Sequence, residues 1–78
     1  MKRRWQDRIV IDPELHHGIP CIKGTRVPVT ILVGSLADGM THQEILAAYP
    51  QLGIDDIYAA LAYAAEVMHQ EIVYPFST

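Results

Sequence analysis

Only one cysteine, Cys21, occurs in the 78 residues, so no disulfide can form within the chain. A reducing compartment is the simple expectation. No run of about 18 apolar residues exists, which excludes a membrane-spanning helix. The start, Met1-Lys2-Arg3-Arg4-Trp5-Gln6-Asp7-Arg8, is basic but leads into only Ile9 to Ile11, too short an apolar stretch for a signal peptide. A cytoplasmic protein is expected. No phosphate loop, nucleophile elbow or HExxH motif occurs, so the common catalytic constellations are missing and no enzyme is expected. Repeats and low-complexity segments are absent as well. The sharpest absence concerns charge: positions 27–78 hold no Lys or Arg at all.

What is present is a half-apolar chain, 50% hydrophobic and 19% charged, which fits a globular domain rather than a disordered one. One domain over 1–78 is expected, with a β arm at 8–29, a helical body at 30–70 and a tail at 71–78. A chain this short buries only about 60% of its unfolded surface, and its core rarely supplies more than ~3–5 kcal/mol. With no disulfide available, a partner chain or oligomerisation is the expected support. The net charge of −3 conceals a split. All six cations (Lys2, Arg3, Arg4, Arg8, Lys23, Arg26) lie in positions 1–26, beside Asp7, Asp12 and Glu14. The remaining acids (Asp38, Glu44, Asp55, Asp56, Glu66, Glu71) lie beyond them. Such asymmetry implies two surfaces with different tasks.

The residue pattern predicts short strands first and helices after. Arg8-Ile9-Val10-Ile11 is β-branched, and Asp12-Pro13 ends it because proline donates no hydrogen bond to a ladder. Gly18 and Pro20 mark a loop, Cys21-Ile22-Lys23 is a second extended piece, Gly24-Thr25-Arg26 a turn, and Val27-Pro28-Val29 extended again. Such short strands must lie on the helices or pair with a second copy. Thr30 is the expected N-cap of a helix from Ile31 to Asp38, with Gly39 at C′. Thr41-His42-Gln43-Glu44 has the capping-box pattern, and Tyr49-Pro50 ends the helix that it starts. Gly53 caps a third helix, Ile54 to about Gln70, with Asp55 and Asp56 in the first turn, where the dipole favours negative charge. The last two helices and their five-residue turn have helix-turn-helix proportions.

Several of these segments resemble one family. They are Ile11-Asp12-Pro13, the run Gly18-Ile19-Pro20-Cys21-Ile22-Lys23-Gly24-Thr25-Arg26-Val27-Pro28-Val29, Leu36-Ala37-Asp38-Gly39-Met40-Thr41, Glu44-Ile45-Leu46, Tyr49-Pro50 and Asp55-Asp56-Ile57. The family is the bacterial and archaeal domain-of-unknown-function family 433, and the resemblance covers residues 8–70. It implies a mainly α fold: a short N-terminal β hairpin before a three-helix, homeodomain-like body. It marks Asp12, Pro13, Gly18, Gly24, Thr25, Arg26 and Pro28 as motif residues. Some members are similar to VapB-type antitoxins of type II toxin–antitoxin modules, whose partner is a PIN-like nuclease with an acidic, metal-dependent site. Occlusion by the tail or insertion of an arginine such as Arg3, Arg4 or Arg26 is the inhibition this implies. Family members often carry Thr where Gly53 stands. The stretches Met1–Asp7 and Glu71–Thr78 lie outside the resemblance.

The candidate sites follow from charge and periodicity. Ile57, Leu61, Ala64, Met68 and Ile72 recur at helical spacing and are the expected core stripe of the third helix. Tyr58, Ala59, Ala60, Ala62, Tyr63 and Ala65 make its other faces apolar too, and a helix apolar all round needs cover all round. Tyr58, Ala62, Tyr63 and Ala65, with Tyr74 and Phe76 of the tail, are therefore the expected protein interface, in a homodimer or with another protein. Base reading needs Arg, Lys, Asn or Gln, and Ile54 to Ala65 offers none, so that helix is not expected to read DNA. Any nucleic-acid contact falls to Lys2, Arg3, Arg4, Arg8, Lys23 and Arg26, through phosphates or a minor groove. Arg26 is expected to hold Asp12 or Asp38 in a forked hydrogen bond. His16, His17 and Cys21 lack a fourth ligand nearby, so neither metal nor cofactor is expected.

Overall fold

The computed structural model describes residues 4–14 and 16–71. Lys2, Arg3, Tyr74 and Phe76 lie outside the described residues, as does Ile72. A turn of 3-10 helix at Trp5–Asp7 leads into strand β1, Ile9–Val10, and a second such turn at His16–Gly18 precedes strand β2, Cys21–Ile22. The two strands pair antiparallel, Ile9 with Ile22 and Val10 with Cys21. Three helices follow: α1 (Val29–Ala37), α2 (His42–Ala48) and α3 (Ile54–Glu71). The expected mainly helical fold with a short hairpin in front is what forms.

The turn that follows β2 and brings Val27 and Pro28 back alongside it is closed by a dense set of local bonds. Gly24 adopts φ +79, which the third position of a type II turn demands. The Thr25 amide donates to the Ile22 carbonyl at 3.1 Å, and the Thr25 hydroxyl donates to the same oxygen at 2.8 Å. That hydroxyl also accepts from the Val27 amide at 3.0 Å. The Ile22 amide then donates to Val27 at 2.8 Å, and Cys21 bridges to Pro28. Asp12 forms an Asx turn, accepting from the Glu14 amide at 2.9 Å.

Helix ends follow short-range chemistry, with one correction. The expected Thr30 cap does not form; α1 begins at Val29 with extended Pro28 as its N-cap. Pro28 lacks an N–H, its carbonyl accepts from Ile31 at 3.1 Å, and the Val29 amide donates to Pro20 at 2.9 Å, so no hydroxyl is needed there. The same bonds remove Val29 from the extended piece. At the other end, the Met40 amide donates to Ser35 and the Gly39 amide to Leu36, each at 3.0 Å, a Schellman closure with Gly39 at φ +96. The Thr41 capping box is complete: its hydroxyl accepts from the Glu44 amide at 3.1 Å, and Glu44 accepts from the Thr41 amide at 2.8 Å.

One core joins all these pieces. Cys21, Ile22, Leu32, Ile45 and Ile57 are almost wholly buried, and Ile9, Val27, Val29, Leu52, Ala59 and Ala60 complete it. The hairpin lies on the helices through Ile9 and Ile22. The expected stripe on α3 is only partly right. Ile57 is buried, but Leu61 is 37% exposed and Met68 is 64% exposed. The buried side runs instead through Ile57, Ala59 and Ala60 and continues along Tyr63, Ala64 and Val67. Alanines at 59 and 60 let the body approach the α3 backbone closely, whereas Leu61 and Met68 would hold it away.

Candidate interaction surfaces

Of the cations, Arg8 is committed to the fold. It sits immediately before β1, and its Nη1 donates to Asp56 Oδ1 at 3.1 Å. Its Nη2 lies 3.6 Å from Asp55 Oδ2. Asp56 is itself nearly buried and reaches back to accept from the Gly53 amide at 2.9 Å. Gly53 thus caps α3 without a side chain, and the carboxylate three residues on supplies the reciprocal half of a capping box. One carboxylate therefore ties the start of α3 to the start of the hairpin. Arg8, expected as a phosphate contact, thus also has a role in holding the fold together. Trp5 is also docked, packing edge-on against Tyr63 with ring centroids 4.9 Å apart. The chain from Trp5 to Arg8 is consequently a packed element and not an open arm.

The remaining described cations face water. Arg4 lies 3.6 Å from Asp7, with both side chains mostly exposed. Such a pair contributes little. Lys23 and Arg26 are exposed in the turn that follows β2, and among the described residues neither forms an ion pair. The expected fork from Arg26 to Asp12 or Asp38 is not made; Arg26 instead takes a left-handed backbone, φ 64, which turns the chain back into Val27. Lys23 joins Asp7, Arg8 and Asp56 around an open cleft of about 310 Å³ whose two cations and two anions balance.

A second surface is apolar. Val29, Val33 and Gly34 of α1 face Tyr63, Ala64, Val67 and Met68 of α3 across an open groove of about 420 Å³. Of the expected interface residues, Tyr58 and Ala65 are exposed, Ala62 is half-buried, and Tyr63 is turned onto Trp5. Tyr58 packs edge-on against His42 at 5.8 Å. Sequence reasoning placed Leu61 and Met68 in the core and passed over Ile54, which is 38% exposed. The available signal was the spacing Ile54, Tyr58, Leu61, Ala65, Met68, a second apolar stripe one residue out of phase with the buried one. The Arg8–Asp56 pair had no such signal, because 48 positions separate the partners.

Cys21 is fully buried, its thiol donates to the Ile19 carbonyl at 3.4 Å, and burial raises its pKa above the ordinary 9.0. A buried neutral thiol of this kind is inert packing rather than a nucleophile. Among the described residues, no three His, Cys, Asp or Glu side chains come together as metal ligands. No described helix is long and apolar enough to cross a membrane.

Comparison with known proteins agrees with this architecture. A crystal structure of a DUF433 member from Anabaena variabilis superposes with a TM-score of 0.76 at 37% identity, covering 83% of this chain and 64% of that one. The uncharacterized protein y4eO of Sinorhizobium fredii is 36% identical over 56 residues, which is 72% of this chain. Those residues are only 25% of that protein's length. The family model described as "Protein of unknown function (DUF433)" matches residues 9–64. The chain belongs to the DUF433 family.

Proposed function

We propose that this chain is a non-enzymatic protein-interaction module of the cytoplasm, the antitoxin component of a type II toxin–antitoxin module that binds and neutralises a PIN-like nuclease. The observation that carries the reading is the pairing of two surfaces on one small domain. An apolar groove between α1 and α3 suits an aliphatic or aromatic element of a protein partner. Lys23 and Arg26 stand exposed in the turn after β2, as an acidic nuclease site would require of an inhibitor. Co-expression with the product of the adjacent open reading frame tests this. A co-purifying complex and relief of toxicity are expected, with both weakened by Val33→Asp in the groove and by Arg26→Ala in the turn after β2. Neither complex nor relief would refute it.

The same free cations support a second reading, a DNA-binding autoregulator with helix-turn-helix proportions. The outward side of α3 offers no base-reading side chain near its start, so contacts would go to phosphates through Lys23, Arg26 and Arg4. Because Trp5 and Arg8 belong to the fold, truncating the N-terminus would confuse binding with stability. Mobility shifts at two salt concentrations, with Lys23→Ala and Arg26→Ala, separate the effects. A steep salt slope that shallows in each variant supports DNA binding, and no shift at low salt removes it.

A further inference from the structure

Helix α3 has two apolar sides; the body of the domain buries one fully and covers the other only in part, His42 of α2 packing on Tyr58. The other comprises Ile54, Tyr58, Leu61, Ala65 and Met68, spaced four, three, four and three residues apart. Ile54 is 38%, Tyr58 37%, Leu61 37% and Met68 64% exposed, and Ala65 is exposed as well. Strict alternation of four and three is a repeat of 3.5, the seam of one helix against another, and no charged residue interrupts it.

We propose that this seam joins two copies of the chain, α3 packed antiparallel on α3 about a two-fold axis. The order of side chains is self-complementary under that symmetry. With the axis at the level of Tyr63, Leu61 meets Ala65 of the second copy, large against small. Tyr58 meets Met68 of the second copy, a thioether against an aromatic ring. The direction follows from charge. Helix α3 carries Asp55, Asp56, Glu66 and Glu71 and no Lys or Arg. Parallel pairing would stack the Asp55–Asp56 ends on each other. Antiparallel pairing separates them by the length of the helix and sets opposite dipole ends side by side; in this register Asp55 stands level with Glu71 of the second copy, both at positions off the seam itself. Met68 lines both the seam and the α1–α3 groove, so the contact continues onto α1 and is broader than a bare helix pair. A domain this short leaves a large share of its apolar surface in water, which a second copy removes.

The inference stands apart from the antitoxin reading, since it concerns the chain alone. Light scattering or sedimentation on the full chain should give twice the 8.7 kDa chain mass across the micromolar range. Leu61→Glu and Ala65→Glu, both at exposed positions, should each return the mass to that of one chain with unchanged helical circular dichroism. Oxidation of the double variant Leu61→Cys, Ala65→Cys should yield a covalent dimer, with fully buried Cys21 not competing. Should a glutamate variant unfold, the cysteine pair decides. A single-chain mass at every concentration overturns the proposal, even if a foreign basic helix later binds the seam. A dimer indifferent to both glutamates overturns it too. Efficient cross-linking by Leu61→Cys alone would show a parallel arrangement and overturn the stated register.

Discussion

Replacing Asp56 should test how the two halves of the molecule are joined. Its Oδ2 accepts from the Gly53 amide and its Oδ1 from Arg8, at 2.9 and 3.1 Å. Loss of the capping bond costs about 1 kcal/mol by analogy with N-terminal caps. The Arg8 side chain is 45% exposed and that of Asp56 only 13%. A charged hydrogen bond of this kind is discounted for solvent to about 1 kcal/mol. Asp56→Ala should therefore destabilise by about 2 kcal/mol, a large part of what a core this size supplies, and lower Tm by about 8–16 °C. Arg8→Ala should cost about 1 kcal/mol, leaving a nearly buried carboxylate with one bond fewer. The double variant should cost about 2 rather than 3 kcal/mol, because the Arg8–Asp56 contribution is lost only once. Urea denaturation followed by circular dichroism gives all three values. Strictly additive costs, or an Asp56→Ala loss below about 0.5 kcal/mol, the range of ordinary surface substitutions, would refute the reasoning.

Two glycines should respond with opposite signs. Gly34→Ala, inside α1 with nothing within 4 Å of the new Cβ, should stabilise by about 0.5–1 kcal/mol. Gly39→Ala, at φ +96, should destabilise by about 1–2 kcal/mol, and thermal melts distinguish the two. Trp5→Ala should cost about 2–4 kcal/mol from lost area and the ring contact with Tyr63, whereas unchanged stability would show that Trp5 does not pack there. For Cys21 the folded thiol pKa is raised, so this group has no effect on stability well below the ordinary 9.0. As pH rises past that value the unfolded chain ionises first, and stability falls. Cys21→Ala should remove that part of the alkaline decline in denaturation midpoints. In the native wild type, thiol reagents should label Cys21 only as fast as the domain opens.

Much of the fold was legible because its signals are local. Thr41 and Glu44 form their reciprocal cap across three residues, Gly39 takes the left-handed C′ position, and Tyr49-Pro50 ends α2 before the turn. Each depends on side-chain and backbone groups a few positions apart, which any close reading of the chain can pair. The charge split is equally a property of the sequence, and it alone removes cations from α3. Tertiary structure decided what no local rule reaches. A helix with an uncharged stretch from Ile57 to Ala65 carries two stripes of near-equal periodicity, and only packing chose between them. The small Ala59 and Ala60 admitted the body and left Leu61 partly and Met68 largely in water. Val29 entered α1 because its amide found the Pro20 carbonyl, and Arg8 left the set of free cations because Asp56 came within 3.1 Å of it. Local chemistry thus determined where the elements begin and end. The meeting of distant segments determined which faces remained for a partner.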